Sequence, residues 1–158
     1  MIDLVALART WHGHVGVLAA IALLHPAITL RPASARGAAG GSGAAVGARL
    51  RAGTRWSVAL ATALVTLTTF AGWWLYPGYR ATEKPRLLQE AFPVALLFET
   101  KEHLAFYALV LAWAGCALVF GPAGAASRRI ARLCFGASAG LVIVVGVLGT
   151  VVGSADLG

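Results

Sequence analysis

Charge is what this chain of 158 residues has least of: 12% of its residues are Asp, Glu, Lys or Arg, while 59% are hydrophobic. A soluble domain carries roughly 25% charged residues. With a mean hydropathy of +0.78, the chain cannot keep a water-facing surface, and it reads as one integral membrane domain. Cysteine is scarce as well. Cys116 and Cys134 stand alone in or beside apolar runs, which excludes a CxxC redox or zinc pair and leaves them as small packing residues. No phosphate-binding loop, no dinucleotide fingerprint and no nucleophile with an attached base is present, so soluble-type enzymology is not expected. The N-terminus lacks a basic n-region and a small-residue cleavage site, and Met1 is read as the start of the mature chain.

What is there is four long apolar runs. They predict helices spanning about residues 11–30, 56–76, 103–120 and 130–152. Each has about the length that crosses a hydrocarbon core of roughly 30 Å at 1.5 Å per residue. The runs are continuous rather than alternating, and a backbone in lipid must satisfy its own hydrogen bonds, so strands are excluded. The expected fold is an all-α, up-and-down four-helix bundle. Residues 31–55, with the run GlyAlaAlaGlyGlySerGly at 37–43, are expected to form a flexible loop. Residues 77–102 hold Pro77, Pro85 and Pro93 and are expected to form an outer loop. Its apolar stretch from Ala91 to Phe98 is too short to cross and is expected to lie along the interface or over the bundle mouth.

The net charge of +7 is a topology signal. Arg31, Arg36, Arg49, Arg51 and Arg55 in one connection, with Arg128, Arg129 and Arg132 in another, place eight cations and no acid on one side. All six acids, Asp3, Glu83, Glu90, Glu99, Glu102 and Asp156, fall on the other. The positive-inside rule puts the arginine side in the cytoplasm. Both termini and the 77–102 connection then face outward, toward the periplasm of a two-membrane bacterium, with the chain in the inner (cytoplasmic) membrane. The cations also favour acidic lipid headgroups, and nucleic acid is not expected as a partner. Trp11, Trp56, Trp73, Trp74, Tyr76 and Tyr79 cluster near span ends, as an aromatic belt does.

The four histidines carry the chemistry. An ionisable residue at membrane depth is expensive and calls for a partner. In the up-down order His14 and His103 lie near the same, outer surface. His12 and His14 are about 200° apart around a helix, whereas His14 and His25 fall within about 20° of each other, roughly 16 Å apart along the axis. If His14 faces the bundle interior, so does His25, and His12 faces headgroups or water. Two imidazoles from different helices at one depth are the axial ligand set of a haem iron. The Thr62, Thr66, Thr68 and Thr69 hydroxyls could orient the ligands, and Arg80, Arg9, Lys101, Trp73 and Trp74 lie on the side where propionates would sit. One haem b is expected. A second, at His25, would need a symmetry mate or an exogenous ligand.

Residues 11–30 and 103–120, with His14 and His103, resemble the haem-carrying helices of small four-helix b-type membrane cytochromes. The resemblance implies electron transfer near the outer face, with a quinol or a partner redox protein. The chain departs from two-haem members, which offer four ligands at two depths, because His25 stands alone on the inner side. If only one histidine ligates, an open iron position would allow small-ligand binding or reductase chemistry. Two other readings compete. His12, His14, Glu99, Glu102 and His103 could gather at the outer mouth around a Cu, Zn or Fe ion, Glu99 and His103 sharing one helical face and Gly13 letting the His-Gly-His segment turn. Alternatively the chain is a cofactor-free accessory subunit of a respiratory complex, as a homo-oligomer or in a larger membrane assembly, with the 77–102 connection as its docking surface.

Overall fold

In the computed structural model, the described residues are 4–30, 41–121 and 125–154, and all regular structure among them is helical. Residues 1–3, 31–40, 122–124 and 155–158 lie outside them, and with them Met1, Asp3, Arg31, Arg36 and Asp156. The four helices are α1 (Leu4–Thr29), α2 (Gly41–Glu90), α3 (Phe92–Phe120) and α4 (Ala125–Gly153). All four are long and apolar enough to cross a membrane. Only 17–22% of each apolar stretch is buried within the chain, so most of each helix presents Leu, Ile, Val, Phe and Trp outward. Such a surface is stable against acyl chains and not against water.

The helices form a ring in which each consecutive pair packs, and α4 closes back on α1. Side chains show every consecutive pair to be antiparallel. Gly16 and His12 of α1 meet Thr68 and Gly72 of α2. Trp113 of α3 donates its indole N–H to Thr66 Oγ1 of α2 at 3.2 Å. Ser138 of α4 donates to the Ala108 carbonyl of α3 at 2.8 Å. Helices α1 and α3 therefore stand at diagonal corners, as do α2 and α4. Small residues make the approach close. Ala19, Ala61, Ala112, Ala131 and Ala139 are buried in one core with Leu23, Val58, Val65 and Phe135. A Cβ at Gly115 would lie 2.9 Å from Phe135 Cε2, so glycine is what lets the ring seat there.

The connections differ from the expectation. α2 already begins at Gly41, inside the expected 31–55 loop, and it runs on through Pro77 and Pro85 to Glu90. The stretch from Ala91 to Phe98 does not lie over the mouth: Ala91 is the break, and α3 starts at Phe92 with a proline in its first turn, where the missing N–H costs nothing. A second small core holds this outer hairpin. Tyr79, Leu87 and Ala95 are buried there, with Tyr76, Val94 and Phe98 packed around them. Tyr79 stacks on Phe98 with centroids 3.5 Å apart, and Lys84 pairs with Glu99 at 2.6 Å. The stretch of α2 from Ala52 to Glu90, 39 residues that close on Arg80, Glu83, Lys84, Arg86 and Glu90, is about 58 Å long at 1.5 Å per residue, against a hydrocarbon thickness of roughly 30 Å. The hairpin therefore stands out of the apolar layer.

Phe135 is fully buried between α3 and α4. Replacing it by Ala should destabilise the bundle by about 3–5 kcal/mol, read as a lowered unfolding midpoint in detergent. A midpoint within error of wild type would show that this contact does not organise the bundle.

Candidate functional site

The buried stripe of α1 runs through Ala19, Leu23, Pro26 and Leu30. Their alternating spacing extends back through Gly16 to His12. His12 is thus the imidazole that turns inward. Its ring lies over the backbone of α2, where a Cβ at Gly72 would stand 3.0 Å from Cε1. Its Nδ1 is buried with no hydrogen-bond partner among the described residues. The expected phase, His14 inward and His12 outward, is therefore reversed. The physical reason is size: the small side of α1 is the side that α2 and α4 can approach, and His14 is not on it.

His14, His25 and His103 are all exposed on the outside of the bundle. His14 Nδ1 is 2.8 Å from the Thr10 carbonyl oxygen, one turn earlier. His103 Nδ1 is 2.7 Å from the Glu99 carbonyl oxygen in the same way. With Nδ1–H donating to the backbone, Nε2 is the ring nitrogen available to an outside partner. On diagonal helices and facing away from the core, these two rings cannot clasp one iron inside a single chain. The hydroxyls of Thr62, Thr66, Thr68 and Thr69 donate to carbonyls one turn back in α2 instead of orienting an imidazole.

The outer mouth is polar but is not a converged ligand set. No group of three or more His, Cys, Asp and Glu side chains arranged to hold an ion occurs among the described residues. Glu99 is engaged by Lys84, and Glu102 and His103 lie on different sides of α3, one half-buried and one exposed. Lys101, expected on the outer rim, turns inward: its Cδ stands 3.8 Å from where a Gly149 Cβ would be, and its Nζ lies 4.2 Å above the Phe98 ring. The inward turn of His12 and of Lys101 escapes a sequence reading, because helical phase alone does not say which of two opposite faces points inward. Gly72, which leaves room for the His12 ring, is a trace of its seat in the sequence. Arg80 is exposed on the protruding part of α2. The Arg9 side chain lies outside the described residues. On the opposite half, a shallow apolar groove of about 420 Å³ between α2 and α3 is lined by Ala59, Ala63, Trp113 and Cys116.

Fold and surface together fit an integral membrane four-helix bundle, with Glu83, Glu90, Glu99 and Glu102 toward one end and Arg55, Arg128, Arg129 and Arg132 toward the other. Compared with family models, with curated proteins and with solved structures, the chain matches none.

Gly72→Val should push the His12 ring off its seat and cost about 1–3 kcal/mol of stability, the range for overpacking. Adding His12→Ala should recover most of that loss. Additive losses in the double variant would show that the two positions do not touch.

Proposed function

We propose that the protein is a b-type haem protein of the bacterial cytoplasmic membrane that carries electrons near the outer face, and that its axial ligands come from more than one chain. The observation that supports this is the state of the outward imidazoles. His14 and His103 each spend Nδ1 on a carbonyl of their own helix and leave Nε2 free. A backbone acceptor on the far nitrogen is the arrangement that fixes the tautomer of a metal-ligating histidine. It is also an uneconomical way to face lipid, since ionisable groups in spans ordinarily turn toward the bundle interior. Both facts are accounted for if an iron held against a second chain covers the rings. Bis-imidazole ligation leaves no open position and suits one-electron transfer rather than ligand chemistry. A quinol on the membrane side and a redox protein on the aqueous side are the fitting partners, and the exposed Arg80 on the outer hairpin is a candidate propionate or quinol contact.

The orientation follows from charge. Arg55, Arg128, Arg129 and Arg132 lie at one end of the bundle, and Glu83, Glu90, Glu99 and Glu102 at the other, so the hairpin end faces outward. Gln89 is exposed on that hairpin. With Cys116 and Cys134 replaced by Ala, Gln89→Cys should react with a membrane-impermeant maleimide in intact spheroplasts. Labelling only after lysis would invert the topology.

The haem reading is tested by the absorption spectrum of detergent-purified protein, oxidised and dithionite-reduced. A Soret band with sharp reduced α and β bands is expected. Replacing His14, His25 and His103 together by Ala should remove the colour while the helical circular dichroism is kept. A colourless wild-type protein purified from haem-sufficient cells would overturn the proposal. If metal-free, it would favour the accessory-subunit reading; with stoichiometric Cu, Zn or Fe, a bare-ion site.

A further inference from the structure

The groove between α2 and α3 runs lengthwise from the arginine end of the bundle toward its middle. On α2, Arg55, Ala59, Thr62 and Thr66 follow one another at steps of four, three and four, so they share one face. On the antiparallel α3, Trp113, Cys116 and Phe120 do the same at steps of three and four. Two contacts bracket the space between the helices. At the deep end the Trp113 indole reaches Thr66. At the arginine end the Arg55 guanidinium lies over the Phe120 ring, 5.6 Å from its centroid. Ala59 and Ala63 are too short to fill what lies between, and a volume of about 420 Å³ is left on the lipid-facing side.

The chemistry of the lining selects the occupant. Its hydroxyls are already engaged. Thr62 donates to the Val58 carbonyl at 2.9 Å and Thr66 to the Thr62 carbonyl at 2.7 Å, while Thr66 Oγ1 accepts from Trp113. The Cys116 thiol is at most a weak donor. Such a lining offers more to a hydrocarbon chain than to a polar ring or an ion. A hollow bathed in acyl chains forfeits the dispersion contacts of its walls unless a chain fills it. From Arg55 to Leu67 the groove measures about 18 Å at 1.5 Å per residue, close to one leaflet of a hydrocarbon core of roughly 30 Å. A chain laid along it ends with its headgroup beside Arg55. That guanidinium is exposed. Stacked on Phe120, it keeps its N–H edge for an oxygen anion, and a phosphate matches the fork. Arg128, Arg129 and Arg132 stand at the same end and disfavour the ammonium of a zwitterionic lipid.

We propose that the α2–α3 groove is a site for one anionic phospholipid of the leaflet at the arginine end. One acyl chain lies against Ala59, Ala63 and Trp113, and Arg55 holds the phosphate. The site differs from the general attraction of a basic face for acidic headgroups, because one arginine and one hollow define it. It is independent of any cofactor at the outer end.

The test uses the full chain in phosphatidylcholine vesicles, with Trp11, Trp56, Trp73 and Trp74 replaced by Phe so that Trp113 alone fluoresces. Phosphatidylglycerol with brominated acyl chains, added as a minor fraction, should quench Trp113 about threefold more than the same fraction of brominated phosphatidylcholine, a factor within reach of one exposed charge pair. Arg55→Gln should abolish the difference, and so should Ala63→Phe, which fills the groove with Arg55 in place. Arg129→Gln, on α4, should keep it. Equal quenching by the two lipids in the unsubstituted groove overturns the proposal. So does a preference that survives Arg55→Gln or Ala63→Phe, or one that Arg129→Gln removes as fully, which leaves only the diffuse charge of the basic end. Where the single-tryptophan chain fails to fold, the wild-type sequence purified in mild detergent is read by its phospholipid content. Arg55→Gln should then retain about half or less of the wild-type anionic lipid per chain, and equal retention overturns the site.

Discussion

The seat of Phe135 on Gly115 is the contact from which the rest of the bundle is placed. Lipid offers no hydrophobic drive between helices, so association depends on close packing and on interhelical hydrogen bonds. Between α3 and α4 both are present. The Phe135 ring occupies the space that a side chain at 115 would need, and the Ser138 hydroxyl reaches across to the Ala108 carbonyl. With that pair joined, α4 offers its remaining small face to α1, where Gly136 lies beside Ala27. Helix α2 closes the ring through the Trp113–Thr66 hydrogen bond. The order of the ring then fixes α1 and α3 at opposite corners, and with it the separation of His14 from His103.

Polar side chains inside the apolar layer are handled by two different means. The threonines of α2 are silenced locally, each donating to a carbonyl of its own helix. His12 and Lys101 are handled by packing toward the outer end: the His12 ring seats against Gly72 of α2, and the Lys101 stem runs beside Gly149 of α4 with its ammonium over the Phe98 ring. The first device leaves the helix surface effectively apolar. The second leaves a charged, partly buried group at one end of the bundle, so the two ends are chemically unlike.

Much of the architecture was legible in the sequence, because four continuous apolar runs admit only helices in a membrane. The outer connection was not. Pro77, Pro85 and Pro93 signal a loop by composition, yet the packing of Tyr79 on Phe98 and the Lys84–Glu99 pair carry helix through two of them. The site was legible in its residue types and not in their facing. A 100° step relates His12, His14 and His25 to one another correctly, but it does not say which of two opposite directions points inward. That choice is made by the partners of α1, and its signal was the small stripe from Gly16 through Ala19, which frequency of small residues alone does not single out. Diagonal placement of α1 and α3 is a property of the closed ring and has no signature in either helix.

Proline within α2 has one more consequence. Pro77 carries no amide hydrogen, so the carbonyl of Trp73, one turn earlier, loses its donor in the helix. Hydrocarbon provides no replacement, whereas the headgroup region supplies water. The exposed Trp73 and Trp74, each about 70% accessible, occupy the same level. Dehydration therefore ends there although the helix does not, and the remaining turns of α2 form a hydrated pillar rising above the lipid, which an approaching macromolecule would touch before it touched the bilayer.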